Sequence, residues 1–164
     1  MEYIKLNKKN TLKIGIRDED GKDTGNYLEF DLTDVSLPTK YQEMIENHNR
    51  NVEWFNREKI VIQKRKDFRK KGKLLTQNEE ALGRILKEFY AREMTTYDMF
   101  LGEGGTKKLL NGRNPYIEMF FDIDEYVKSI LPLIKSKQKD IETQIKDLVK
   151  TKYKVDDGDV LDDK

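Results

Sequence analysis

Apolar residues recur along this chain with two periods, first of two and then of three to four. Leu12-Lys13-Ile14-Gly15-Ile16-Arg17 alternates apolar and polar positions. Tyr27-Leu28-Glu29-Phe30-Asp31-Leu32 alternates again, with Leu28, Phe30 and Leu32 on one face. Between them, Asp18 to Asn26 is rich in turn formers. The pattern predicts a β-hairpin. An isolated hairpin is barely stable in water, so its apolar face must pack on helices or on strands of another chain.

Beyond a connection at Thr33–Thr39 the period lengthens. Tyr41, Ile45, His48, Val52, Phe55 and Ile62 form a helical stripe, with Glu46–Arg50 and Glu53–Arg57 as i,i+4 pairs on the outer faces. The helix is expected to start near Thr39 or Lys40 and to end at Gly72, after cations that suit a helix C-terminus. About 30 residues at 1.5 Å each make roughly 45 Å, more than a small body covers, so part of this helix should project or pair with another chain.

Thr76-Gln77-Asn78-Glu79 has the form of a capping box. The helix it opens carries Leu82, Ile85, Leu86, Phe89, Tyr90 and Met94 on one side, with Glu80–Arg84 and Glu88–Arg92 on the other. An apolar knot, Tyr97 to Leu101, runs into a glycine break. A short helix should then reach Leu110, closed by Asn111-Gly112, and Asn114-Pro115 fits N-cap and N1 of a last helix. Met119, Phe120, Ile123, Tyr126, Val127, Ile130, Leu131 and Ile134 make its apolar side, and Pro132 should kink or interrupt it. Ile141, Ile145 and Leu148 continue the stripe at heptad spacing, as a coiled-coil contact requires. Asp156 to Lys164 is acidic and expected to be disordered unless bound. The fold class is therefore α+β: one mainly helical domain over 1–155, with a small N-terminal β-hairpin, a long helical arm and an acidic tail at 156–164.

Composition narrows the chemistry. The 164 residues hold 32 Lys+Arg and 31 Asp+Glu, so no global field steers the chain to nucleic acid or membrane. There is no Cys, which removes disulfides, thiolate nucleophiles and Cys-based zinc sites. No stretch approaches the ~20 apolar residues of a membrane span, and Met1 to Lys5 lacks the apolar core of a signal peptide. A cytoplasmic protein is expected.

Candidate chemistry is sparse. His48 is the one histidine and has no Cys or second His to share a metal, so a packing or interface role is expected of it. Gly102-Glu103-Gly104-Gly105-Thr106-Lys107-Lys108 offers backbone N–H groups and lysines to phosphate, but lacks the G-x-x-x-x-G-K-[ST] spacing; the alternative is a hinge. Lys64 to Lys73 is a dense basic run around Phe68. It could bind nucleic acid, form a solvated helix end, or dock on an acidic protein surface, including the acidic tail of another copy. Asp156-Asp157-Gly158-Asp159 lacks the spacing and closing Glu of a calcium loop. No catalytic constellation emerges, so a non-enzyme without cofactor or metal is expected.

Several segments carry a resemblance. Phe100 to Lys108, Asn111-Gly112-Arg113-Asn114, Met119-Phe120-Phe121-Asp122-Ile123 and Ile130-Leu131-Pro132-Leu133-Ile134 resemble the tail assembly chaperones of long-tailed phages and prophages of Gram-positive bacteria. The resemblance covers roughly residues 12–134. It implies a chaperone that coats the helical tape-measure protein, recruits tail-tube subunits and is absent from the finished particle. It supplies no catalytic residues. Self-association is expected, nucleic acid is not the expected partner, and no membrane association is expected. The rival readings are a nucleic-acid-binding regulator using 64–73 and a minor structural virion subunit held through the hairpin. The expected partner surface is Met99, Phe100 and Leu101 with Tyr116, Met119 and Phe120; the alternative for these six is the domain's own core.

Overall fold

The computed structural model describes residues 10–153, so the acidic segment 156–164 lies outside the described residues. The alternating segments form β1 (Thr11–Arg17) and β2 (Asp23–Asp31), an antiparallel two-stranded sheet. Leu12 faces Phe30 and Ile14 faces Leu28. The second strand begins earlier than the turn formers suggest, because its first residues pair across an irregularity between Gly15 and Arg17. Gly25 there takes φ +74, and the Thr24 hydroxyl donates to the Ile16 carbonyl at 2.7 Å.

Helix α1 spans Leu37–Gln63. It starts before Thr39 because Pro38 suits the first turn and Asp34 organises the corner. The Asp34 carboxylate accepts from the Ser36 N–H at 2.9 Å and from Lys40 Nζ at 2.5 Å. The helix ends at Lys64, well short of the expected Gly72. Continued as helix, the basic run would set Arg65 against Arg69 and Lys66 against Lys70 at repelling i,i+4 spacing. Instead it folds back on the next helix: Gln77 N–H donates to the Phe68 carbonyl and Asn78 N–H to the Asp67 carboxylate, both at 3.0 Å.

Helix α2 (Gln77–Leu101) opens on the expected capping box, with Thr76 and Glu79 each bonded to the other's backbone N–H. It returns antiparallel along α1. Tyr41 meets Phe100 at one end, Arg92 lies over Trp54, and Phe55 packs on Phe89 at 4.9 Å. The length of α1 is thus covered within its own chain, contrary to the expected projection. The knot 97–101 completes α2 rather than standing apart, and α3 (Gly105–Leu110) closes at Asn111 in the left-handed conformation.

Helix α4 spans Ile117–Tyr153 and starts two residues after Pro115, not at it. It runs unbroken through Pro132. Pro132 and Lys128 both lie on the exposed side, where water can satisfy the Lys128 carbonyl that Pro132 leaves without a helical partner, while Val127, Ile130 and Ile134 anchor both sides in the core. The core joins Leu28 and Phe30 of the hairpin, Met44 of α1, Tyr97 and Phe100 of α2, and that inner face of α4. Gln138 fastens α4 to the start of α1 by donating to the carbonyls of Leu32 and Asp34. At ~1.5 Å per residue the helix continues roughly 22 Å beyond this point. The long helical arm is therefore the end of α4, not the end of α1.

Candidate partner-binding surfaces

Among the six residues expected to bind partners, Phe100, Leu101, Met119 and Phe120 are buried in the domain's own core. Phe100 lies against Phe30 and Tyr41, and Phe120 stacks on Tyr97 and Tyr90. Met99 is half-buried and its sulfur meets the Asn47 amide, while Tyr116 packs against the core edge. The knot's apolar character is spent on folding, and the partner-surface reading of these residues is corrected accordingly.

The glycine loop is likewise occupied from within. One carboxylate, Asp98, accepts from Gly104 N–H at 3.1 Å and Thr106 N–H at 2.8 Å, and the Thr106 hydroxyl also donates to it. The N–H groups that would cradle phosphate already hold an internal anion. Gly105 is required sterically: a Cβ there would lie 2.6 Å from Leu101 Cβ.

His48 belongs to a polar cluster that single-sequence reasoning missed. Its Nδ1 lies 2.6 Å from Glu93 Oε2, and Glu93 is fully buried. The Asn51 amide donates to the other Glu93 oxygen at 2.7 Å and to the Thr96 hydroxyl at 3.0 Å. The bond to Glu93 raises the His48 pKa above its usual 6.5, against the opposing effect of burial. The signal was there in part: Glu93 and Thr96 fall on the face of α2 that also carries Phe89 and Tyr97. A carboxylate on an inward face needs a partner, and His48 and Asn51 are one turn apart on α1. The cluster joins two helices and is closed by its own members. Among the described residues, no group of three or more metal-ligating side chains occurs.

Two of the uncovered regions combine exposed apolar residues with charge. The first is the arm of α4 with the β2–α1 link beside it. A groove of about 660 Å³ lies between them, lined by Leu32, Val35, Ile141 and Ile145, with Lys135 and Lys139 at its margin. Val35 of the link is 92% exposed, and Ile145, Leu148 and Val149 are exposed along α4. Of the heptad-spaced stripe expected from the sequence, Ile141 packs at the core edge, whereas Ile145 and Leu148 are exposed.

The second is the tip of the α1–α2 hairpin. Asp67, the one carboxylate of the basic run, is exposed but engaged: it accepts from the Asn78 N–H at the start of α2, which above all holds its pKa below the ordinary carboxylate value. Lys73 pairs with Glu80. Among the described residues Lys64, Arg65, Lys66, Arg69, Lys70 and Lys71 form no salt bridge. Ile60, Val61, Phe68, Leu74 and Leu75 are exposed among them, Leu74 at 84%. Charged and apolar contacts are thus offered on one surface.

Among the described residues no helix is long and apolar enough to cross a membrane. Comparison of the chain with protein-family models, with curated proteins and with solved structures gives no match.

Proposed function

We propose that this chain binds other proteins without turnover, as a tail assembly chaperone holding helical segments of a tape-measure protein and bringing them to tail-tube subunits. The observation that carries this reading is the groove between Val35 and the α4 arm. An exposed apolar stripe at helical spacing beside a shallow groove suits an amphipathic helix laid into it, with anchors at i, i+3, i+4 and i+7. Burying such a helix would keep the apolar faces of a long, repetitive partner from pairing too early. The choice of partner rests on the resemblance of residues 12–134; the groove, formed largely by residues beyond that stretch, is where such a helix would lie.

The test is co-purification of the full chain with helical fragments of the tape-measure protein and with tube subunits from the same phage or prophage. Wild type should retain at least one fragment, and Ile145→Asp with Leu148→Asp should release it while the melting temperature stays unchanged. Absence of binding to every fragment and to the tube subunit would reject the function. Retention by the double variant would reject the groove.

A further inference from the structure

We propose that the basic tip of the α1–α2 hairpin docks the acidic segment Asp156–Asp163 of a second copy of this chain, joining copies head to tail. This interface lies apart from the α4 groove, so it stands or falls independently of the function proposed above.

The chemistry of the two parts matches. The tip presents Lys64, Arg65, Lys66, Arg69, Lys70 and Lys71 without salt bridges to the described residues, around exposed Phe68, Leu74 and Leu75. The segment Asp156-Asp157-Gly158-Asp159-Val160-Leu161-Asp162-Asp163 carries five carboxylates, three before and two after the apolar pair Val160-Leu161. Carboxylates flanking an aliphatic pair answer cations flanking an aliphatic and aromatic patch. Nucleic acid would satisfy the cations but would leave Leu74 and Leu75 without an aliphatic counterpart. The near-neutral chain, with 32 cations and 31 anions, offers phosphate no wider field.

Geometry makes the contact intermolecular. Helix α1 separates the tip from the Leu37 end by about 40 Å. Helix α4 runs the other way along it. Its first turns lie beside α2, where Phe120 stacks on Tyr97, and Gln138 reaches Leu32 and Asp34 at the start of α1. The remaining four turns of α4 carry the chain farther from the tip. Ten residues, 154–163, span at most ~36 Å fully extended, which falls short of the tip even if counted from the level of Gln138. A segment that cannot reach the tip of its own molecule can reach that of another. Such a heterologous contact repeats along a filament or closes a ring.

Two full-length variants test this by sedimentation velocity. One carries Lys66→Gln, Arg69→Gln, Lys70→Gln and Lys71→Gln; the other carries Asn in place of Asp156, Asp157, Asp159, Asp162 and Asp163. Wild type should self-associate with rising concentration and do so less as salt screens the contact. Each variant alone should lose that association at least tenfold. Mixed together, they should form a one-to-one dimer that grows no further, because only one tip and one acidic segment remain competent. Wild-type association unchanged in either variant, or a mixture without the dimer, overturns the proposal. If the lysine and arginine changes abolish only salt-sensitive binding to a duplex oligonucleotide or to anionic phosphatidylserine vesicles, with sedimentation unaltered, the tip serves that ligand and the proposal fails.

Discussion

The knot at 97–101 and the stripe at 145–149 read alike in sequence: each is a cluster of large apolar residues at helical spacing. In the structure they differ completely. Phe100 is 2% exposed and ringed by Phe30 and Tyr41, whereas Leu148 is 67% exposed. The difference lies in what else the chain can bring alongside. The hairpin face and three helices converge on the knot, while nothing described in the chain extends as far as the end of α4. An apolar stripe is thus a statement of demand for cover, and topology decides whether the same chain meets it.

The largest expected effects test the covered side of this comparison. Phe100→Ala and Phe120→Ala should each cost about 3–5 kcal/mol in urea unfolding, as truncation of a packed aromatic does. Leu148→Ala should stay within ~0.5 kcal/mol. Similar midpoints for all three would erase the distinction between the regions.

Next in size is the polar junction inside the covered side. Glu93→Ala should cost about 3 kcal/mol, since it strands Asn51 and His48 and leaves a hole at a fully buried position. His48→Ala, expected from sequence to lose only packing, should also be felt, because it removes a partner of a buried carboxylate. A pH titration adds the sign. The folded pKa of His48 is raised above 6.5, so its pairing with Glu93 contributes fully below 6.5 and is lost as pH rises through the folded value. Tyr97 on α2 and Asp124 and Lys128 on α4 face the same ring, and Asp124 works in the same direction as Glu93. Unfolding midpoints should therefore fall from pH 6 toward alkaline pH in wild type more than in His48→Gln; equal slopes would contradict the assignment. At the acid end, Lys40 and Ser36 hold Asp34 down to about 2, so its contribution is present above 3.8 and goes only as pH falls through about 2.

Gly105→Ala comes below these, at about 1–3 kcal/mol, from the close approach of its Cβ to Leu101. Gly83→Ala is the internal control: it sits in α2 with open space around its Cβ position, so the better helix former should leave stability equal or slightly higher. Matching losses at both glycines would refute the steric account.

Much of the fold was legible because its signals are local. Alternation fixed the hairpin face at Leu28, Phe30 and Leu32, and Thr76 with Glu79 fixed the start of α2. What was not legible depended on contacts distant in sequence. The end of α1 at Lys64 follows from the return of α2 and the bonds of Asp67 and Asn78, which no periodicity encodes. The run through Pro132 rests on burial before and after it. The His48–Glu93 pair joins residues 45 positions apart. For the candidate site, sequence identified the apolar clusters and the basic run but misjudged which were covered. Cover is a property of three-dimensional neighbours.

The smallest expected effect on stability bears most directly on the uncovered side. Val35→Ser and Ile145→Ser face each other across the groove beside Gln138 and already meet water, so removing their methyl groups gives up little burial. Each should change the unfolding midpoint by no more than ~0.5 kcal/mol. A bound helix changes the arithmetic: at ~25 cal/mol per Å² of apolar surface newly covered, an aliphatic anchor contributes on the order of 1–2 kcal/mol to binding, or five- to thirtyfold in affinity. The two variants should therefore be silent in a melt and weak in co-purification with a tape-measure fragment. A substantial loss of stability from Ile145→Ser would mean that the arm already has cover in the free protein, for instance from a second copy. The melting temperature of wild type should then rise with protein concentration, as it does for any fold stabilised by association. A concentration-independent melting temperature, together with silent variants, would leave the groove uncovered in the free chain and ready for a partner.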